Sequence, residues 1–107
     1  LLNDLKENFF NKKNNKIFFK NNENTSIYLI YKPTLLDIES LMRKSISFFV
    51  CHGSLTHLAN HFNVKIIDII EKNKLEFYKS YTYYLTNYNL LFRDDFDKLK
   101  TKLFELT

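Results

Sequence analysis

The chain has 107 residues, is 45% hydrophobic and carries a formal net charge of +4, a length that closes one core and is too short for two. No apolar segment approaches the roughly 20 residues of a membrane-spanning helix, and the charged, amidic start does not match a signal peptide, so a cytoplasmic, single-domain chain is expected. The lysines are scattered among many asparagines, so the positive balance is a mild attraction for phosphate-bearing ligands or an anionic membrane surface and not a nucleic-acid signature.

Leu1 to Asn11 places Leu2, Leu5, Phe9 and Phe10 at helical spacing and predicts an amphipathic helix. Beyond the Asn/Lys-rich stretch that ends at Lys16, Ile17 to Lys20 is a short apolar run. The segment IYLIY, Ile27 to Tyr31, is β-branched and aromatic throughout and predicts a buried strand. Pro33 follows, and TLLD supplies a helix start in which Thr34 caps and Asp37 sits three residues on. Leu35, Ile38, Leu41 and Met42 then share one face of a helix ending near Lys44.

At SISFFVC the hydrophobic period changes and a second strand is predicted. The lone Cys51 at its end excludes an internal disulfide and reads as a small buried hydrophobe. SLTHLANHF follows as a short helix with Leu55, Leu58, Ala59 and Phe62 on one face, stopped at Asn63. VKIIDII is a third strand, apolar on both faces except at Lys65 and Asp68, which implies helices on both sides of a sheet. Leu75 to Leu85 is predicted helical for part of its length, and Asn87 to Arg93 is ambiguous. Asp94 to Leu106 closes the chain as a helix with Phe96, Leu99, Leu103 and Leu106 inward. Strands alternating with helices imply βαβ units, hence an α/β fold with a parallel sheet flanked by helices. Ligands of such sheets bind at the carboxyl ends of the strands.

The single glycine, Gly53, and all three histidines fall in FFVCHGSLTHLANHF. A sharp strand-to-helix turn is a reason for glycine, and a glycine there also lets a ligand approach the main chain. The first amides of the following helix, around Ser54 to His57, then form an anion site. Ser54 and Thr56 add hydroxyls, and His57 adds a ring nitrogen suited to a phosphate oxygen. A turn glycine, a capping Ser54 and ordinary histidines explain the same residues without any ligand.

The run VCHGSLTHLANHFNVKIIDI, Val50 to Ile69, resembles the nucleotide-sugar-binding motif of heptosyltransferase-like GT-B glycosyltransferases. That family's acidic residue at the His52 position is absent here, and glycine falls one place early. The resemblance implies the Rossmann-like, donor-binding half of such an enzyme, with an N-terminal acceptor domain elsewhere; Leu1 at the start and the sole methionine at Met42 fit a piece of something longer. It further implies that His52, Gly53, Ser54, Thr56 and His57 face the diphosphate of a nucleoside-diphosphate sugar. The sugar would pass to a hydroxyl of a glycan or lipid-linked acceptor of the cell envelope, without metal or other cofactor, at the inner membrane surface. The catalytic base would lie in the other half. Glu71, just past a strand end, is a further candidate for donor contact.

Three other functions compete with this reading. His57 and His61 lie four apart on one helical face, but no HExxH or CxxC pattern accompanies them, so no metal site is expected. The tyrosines of EFYKSYTYYLTNYN could stack on single-stranded nucleic acid, yet Tyr81, Tyr84, Leu85 and Tyr88 follow helical spacing and are expected to pack on the sheet, so no nucleic-acid partner is assigned. The third is a non-catalytic α/β interaction or remnant module.

Overall fold

The computed structural model describes residues 10–106. The chain divides after Glu39 into two bodies. The first contains an antiparallel meander of β1 (Asn11–Lys12), β2 (Ile17–Asn22) and β3 (Thr25–Ile30), in that spatial order. The β2–β3 register runs from Ile17 opposite Ile30 to Asn22 opposite Thr25, and the tight turn between them takes a left-handed residue at Glu23, φ 37°. The Asn14 side-chain oxygen accepts from the amides of Lys16 and Ile17, each at 2.8 Å, which shapes the loop leading into β2 as Asn does in turns.

This meander corrects the expectation of a parallel sheet along the whole chain. It also corrects the buried strand at Ile27: β3 forms, but Ile27 and Tyr28, on its opposite faces, are 55% and 57% exposed. The helix expected over Leu1 to Asn11 lies outside the described residues except at its end, where Asn11 enters β1.

Helix α1 (Leu35–Lys44) begins as its sequence dictates. The Thr34 amide donates to Asp37 Oδ2 at 2.8 Å, and the Asp37 amide donates to the Thr34 hydroxyl at 3.2 Å, a reciprocal box that satisfies two otherwise orphaned donors. The Lys16 ammonium pairs with the same carboxylate. Of the four apolar residues expected on its inward face, Met42 is buried while Leu35 and Leu41 are exposed.

The second body is a βαβαβα succession: β4 (Ser47–Cys51), α2 (Ser54–His61), β5 (Lys65–Ile70), α3 (Leu75–Thr82), β6 (Tyr88–Phe92) and α4 (Phe96–Leu106). Single 3₁₀ turns, Lys72–Lys74 and Arg93–Asp95, follow β5 and β6. The three strands are parallel in the order β4-β5-β6, with Val50 opposite Asp68 and Asp68 opposite Leu90. The ambiguous stretch at Asn87 to Arg93 is therefore an edge strand, and the expected α/β class with a helix-flanked parallel sheet holds for this body in a generic Rossmann-like arrangement.

Consecutive parallel strands with crossovers of one hand put both connecting helices on one face of the sheet. Ring contacts from α2 and α3 converge there on His52, just past β4. The opposite face receives α4: Lys65, which alternates with Ile66 along β5, bonds the Leu106 carbonyl. The core is the middle strand. Ile66 and Ile67 are fully buried on opposite faces, each contributing about 1.5–3 kcal/mol by leaving water. Phe96, expected inward on α4, is 77% exposed at the first turn of that helix.

Helix α2 buries Thr56 and Ala59 most deeply and ends as a Schellman motif. Asn63 takes the left-handed position, φ 56°, with the Val64 amide reaching back to the Ala59 carbonyl and the Asn63 amide to that of Asn60. The Asn60 side-chain oxygen then accepts from both the amide and hydroxyl of Thr86, tying α2 to the loop that enters β6.

Candidate functional site

The corner between β4 and α2 is built by Gly53 and Thr56. The Gly53 amide donates to the Thr56 hydroxyl at 3.3 Å, and the Thr56 amide donates to the Gly53 carbonyl at 3.0 Å. Gly53 is extended, φ −173° and ψ −173°, a backbone that any residue adopts, so the strained turn expected from its identity is corrected. Packing does not require it either: an added Cβ would meet only the Cys51 carbonyl oxygen, at 3.8 Å. The space over the Gly53 α-carbon is open, beside the helix amides that lack intrahelical partners. Ser54 is exposed at this corner as the first helical residue, while Gly53 holds the capping position. Thr56 is fully buried, so it braces the corner from inside and a ligand at the surface meets Ser54 instead.

His52, one residue earlier, is turned into the sheet. Its Nδ1 lies 2.6 Å from Asp68 Oδ2, and the Tyr88 hydroxyl donates to the same oxygen at 2.7 Å. Register explains the meeting: Asp68 stands opposite Val50, two residues before His52, and side chains two apart on a strand share a face. Asp68 is fully buried, and its Oδ1 has no hydrogen-bond partner among the described residues. Burial, and then the hydrogen bond to Asp68, push the Tyr88 phenol above its usual range, as expected for a donor held against a carboxylate.

Aromatic rings cover this network. Tyr78 of α3 lies against the His52 ring, centroids 4.3 Å apart, and the His57 ring meets His52 edge-on at 5.6 Å. His57 Nδ1 bonds the Tyr84 hydroxyl, and the two rings are nearly parallel, 17° apart. The tyrosine-rich stretch thus covers the histidines with Tyr78 and Tyr84. Of the face expected to pack on the sheet, Leu85 is buried and Tyr88 half-buried at the start of β6, but Tyr81 and Tyr84 are 51% and 48% exposed, and the helix ends at Thr82. His61 is exposed against Phe62, and among the described residues no three His, Cys, Asp or Glu side chains converge as a metal would require.

A crevice of about 140 Å³ opens at the carboxyl rim of β4 and β5, lined by Cys51, His52, Glu71, Lys74, Tyr78 and Arg93 with the last two isoleucines of β5. Cys51 is exposed, which corrects its expected burial: it ends an edge strand where the chain leaves the sheet. Glu71 lines the crevice, with its carboxylate paired to Arg93. Lys72 reinforces the connection, its ammonium bonding Asp95 at 2.8 Å and its amide Asp94 at 3.3 Å. The turns after β5 and β6 are thereby tied together. Lys74 forms no ion pair among the described residues, which leaves a cation at the crevice.

Of the anticipated diphosphate set, Gly53 and Ser54 share the open corner. His52 instead joins a buried carboxylate, His57 engages Tyr84, and Thr56 lies inside. Asp68, Tyr88, Lys74 and Arg93 were not foreseen as site residues. One signal existed for Asp68, since a carboxylate within KIIDII must find hydrogen-bond partners if the strand is buried. Among the described residues no helix is long and apolar enough to cross a membrane. Comparison of the chain with protein-family models, curated proteins and solved structures finds no match in any of the three.

Proposed function

We propose that the second body binds the diphosphate of a nucleoside-diphosphate sugar at the carboxyl rim of its parallel sheet, as the donor half of a glycosyltransferase of the GT-B kind. The observation that carries this reading is the Gly53 corner. Neither backbone strain nor packing calls for glycine there, so the open α-carbon beside the α2 amides is best accounted for by a ligand that approaches the main chain. Lys74 at the neighbouring crevice adds positive charge of the sign a diphosphate needs, and the resemblance of Val50 to Ile69 to a nucleotide-sugar motif supplies the substrate class.

In this reading the rim holds the diphosphate and stabilises the charge that grows on it as the sugar departs. The acceptor, a glycan or lipid-linked hydroxyl, and the base that activates it belong to another domain of a longer enzyme, working at the inner membrane surface. Calorimetric titration with a panel of nucleoside diphosphates tests the proposal. Saturable heat with at least one member is expected, and its absence with every member in a folded sample overturns the reading.

A further inference from the structure

We propose that Asp68 and Tyr88 position His52, in its imidazolium form, to donate a hydrogen bond from Nε2 to a phosphoryl group in the rim crevice, with Lys74 as its cationic companion. This rests on the reading of the rim as a diphosphate site and adds two positioning residues and a second binding locus to it, apart from the Gly53 corner.

A carboxylate oxygen only accepts, so the Asp68 contact places a His52 proton on Nδ1, and donation from Nε2 requires the second proton of the imidazolium. Nε2 is then the nitrogen left for a ligand. It has no hydrogen-bond partner among the described residues and is not among the buried atoms lacking one, although the His52 side chain as a whole is only 9% exposed. The imidazole is restrained by Asp68 of β5 at Nδ1, by Tyr78 of α3 across one face and by His57 of α2 at its edge, while Tyr88 of β6 bonds the Asp68 oxygen that holds Nδ1. Such restraint is what a ring needs if it is to meet a ligand without reorganising.

The cost of the arrangement also suggests purpose. A fully buried carboxylate with one unsatisfied oxygen is a poor device for stability alone, and an apolar residue at position 68 would suit a strand of isoleucines better. The ion pairing at the rim is selective in the same sense. Arg93 is neutralised locally by Glu71, whereas Lys74 is not, so an anion entering the crevice finds Lys74 and His52 as its available donors. At about 140 Å³ the crevice is well below the ~300–1,000 Å³ of a pocket for a whole drug-sized ligand. It suits a phosphate or pyrophosphate moiety, with the nucleoside extending beyond the rim.

The experiment uses the full chain with inorganic pyrophosphate and a nucleoside diphosphate as probes. Nitrogen-15 spectra of the imidazoles with pyrophosphate bound should show His52 protonated at both Nδ1 and Nε2; a ring that stays neutral in the complex overturns the proposal. By calorimetry, His52→Gln, Asp68→Asn and Lys74→Ala should each weaken pyrophosphate binding by about tenfold, as loss or misplacement of a charge-assisted donor predicts. Tyr88→Phe should produce a smaller loss, of about twofold to threefold. Should Asp68→Asn fail to fold, His52→Gln, Tyr88→Phe and the nitrogen spectra still decide the matter. Undiminished pyrophosphate binding by His52→Gln and Lys74→Ala refutes the crevice locus, while retained nucleoside-diphosphate binding in the same variants leaves the rim reading standing. Failure of the unaltered protein to bind either probe removes both.

Discussion

Gly53 and Thr56 hold each other by two reciprocal hydrogen bonds, amide to hydroxyl and amide to carbonyl. The corner's shape therefore comes from Thr56, and the glycine is available for another role.

Gly53→Ala separates these roles. Alanine is a poorer helix cap than glycine but reduces the freedom of the unfolded chain, and with the backbone already extended the net change in stability should stay within about 1 kcal/mol. Nucleoside-diphosphate affinity should fall by roughly tenfold or more, because the new methyl occupies the ligand's approach. Thr56→Val should do the reverse of the stability result, costing about 1–3 kcal/mol by stranding the Gly53 amide. Chemical denaturation and calorimetry on the two variants would contradict this division if Gly53→Ala unfolded the protein while binding persisted.

Asp37 should titrate far below an ordinary carboxylate. The Lys16 ammonium, and then the Thr34 amide, lower its pKa from 3.8 to about 2. A depressed folded-state pKa means that the contribution of Asp37 is fully present above the unfolded value and is lost as pH falls from about 4 to about 2. Carbon-13 titration of the side-chain carboxyl gives the value directly. Lys16→Met should return it toward the normal range, whereas Thr34→Ala should raise it less and cost about 1 kcal/mol through loss of the cap. A midpoint near 3.8 in the unaltered protein would show that the box and the ion pair do not persist in solution.

The middle strand should be the most sensitive part of the second body. Ile66→Ala or Ile67→Ala removes a fully buried side chain and should cost about 2–5 kcal/mol in urea unfolding. Leu36→Ala, at a position 74% exposed, should change stability by about 0.5 kcal/mol or less. Comparable losses at all three positions would mean that the core is not centred on β5.

Asn63 should tolerate glycine and resist a branched side chain. Its left-handed backbone, φ 56°, closes α2, and Asn63→Gly should leave stability unchanged or slightly raised. Asn63→Val should lose about 1–2 kcal/mol, because a branched β-carbon crowds the left-handed backbone and the short polar side chain that eases it is gone. Thermal melts of the pair provide the check, and indifference to valine would count against the Schellman end.

The parts of this fold that could be read from sequence are those written in local chemistry. Thr34 and Asp37 at capping distance, the change of period at SISFFVC, and the stop at Asn63 each depend on neighbours in the chain, and each appears in the structure. What depended on pairing partners was hidden. IYLIY has the composition of a buried strand, but composition does not say whether another layer covers the strand, and Ile27 and Tyr28 are exposed on opposite faces of β3. YNLLF is too short to declare its class until β5 lies beside it. The candidate site divides in the same way. Gly53 and Ser54 were visible as a contiguous motif, whereas His52 and Asp68 are sixteen positions apart and meet only through the β4–β5 register. Phe96 and Leu35 misled because helical spacing identifies a shared side of a helix without saying how much of that side is covered.

Cys51 is the chain's sole thiol, exposed and bordering the same recess as His52. A maleimide dye can therefore be attached at one defined place without prior mutagenesis. Its emission, or the rate at which the unlabelled thiol is alkylated, would report occupancy of that recess in real time, giving a screen for natural substrates that begins with no assumption about the sugar or base they carry.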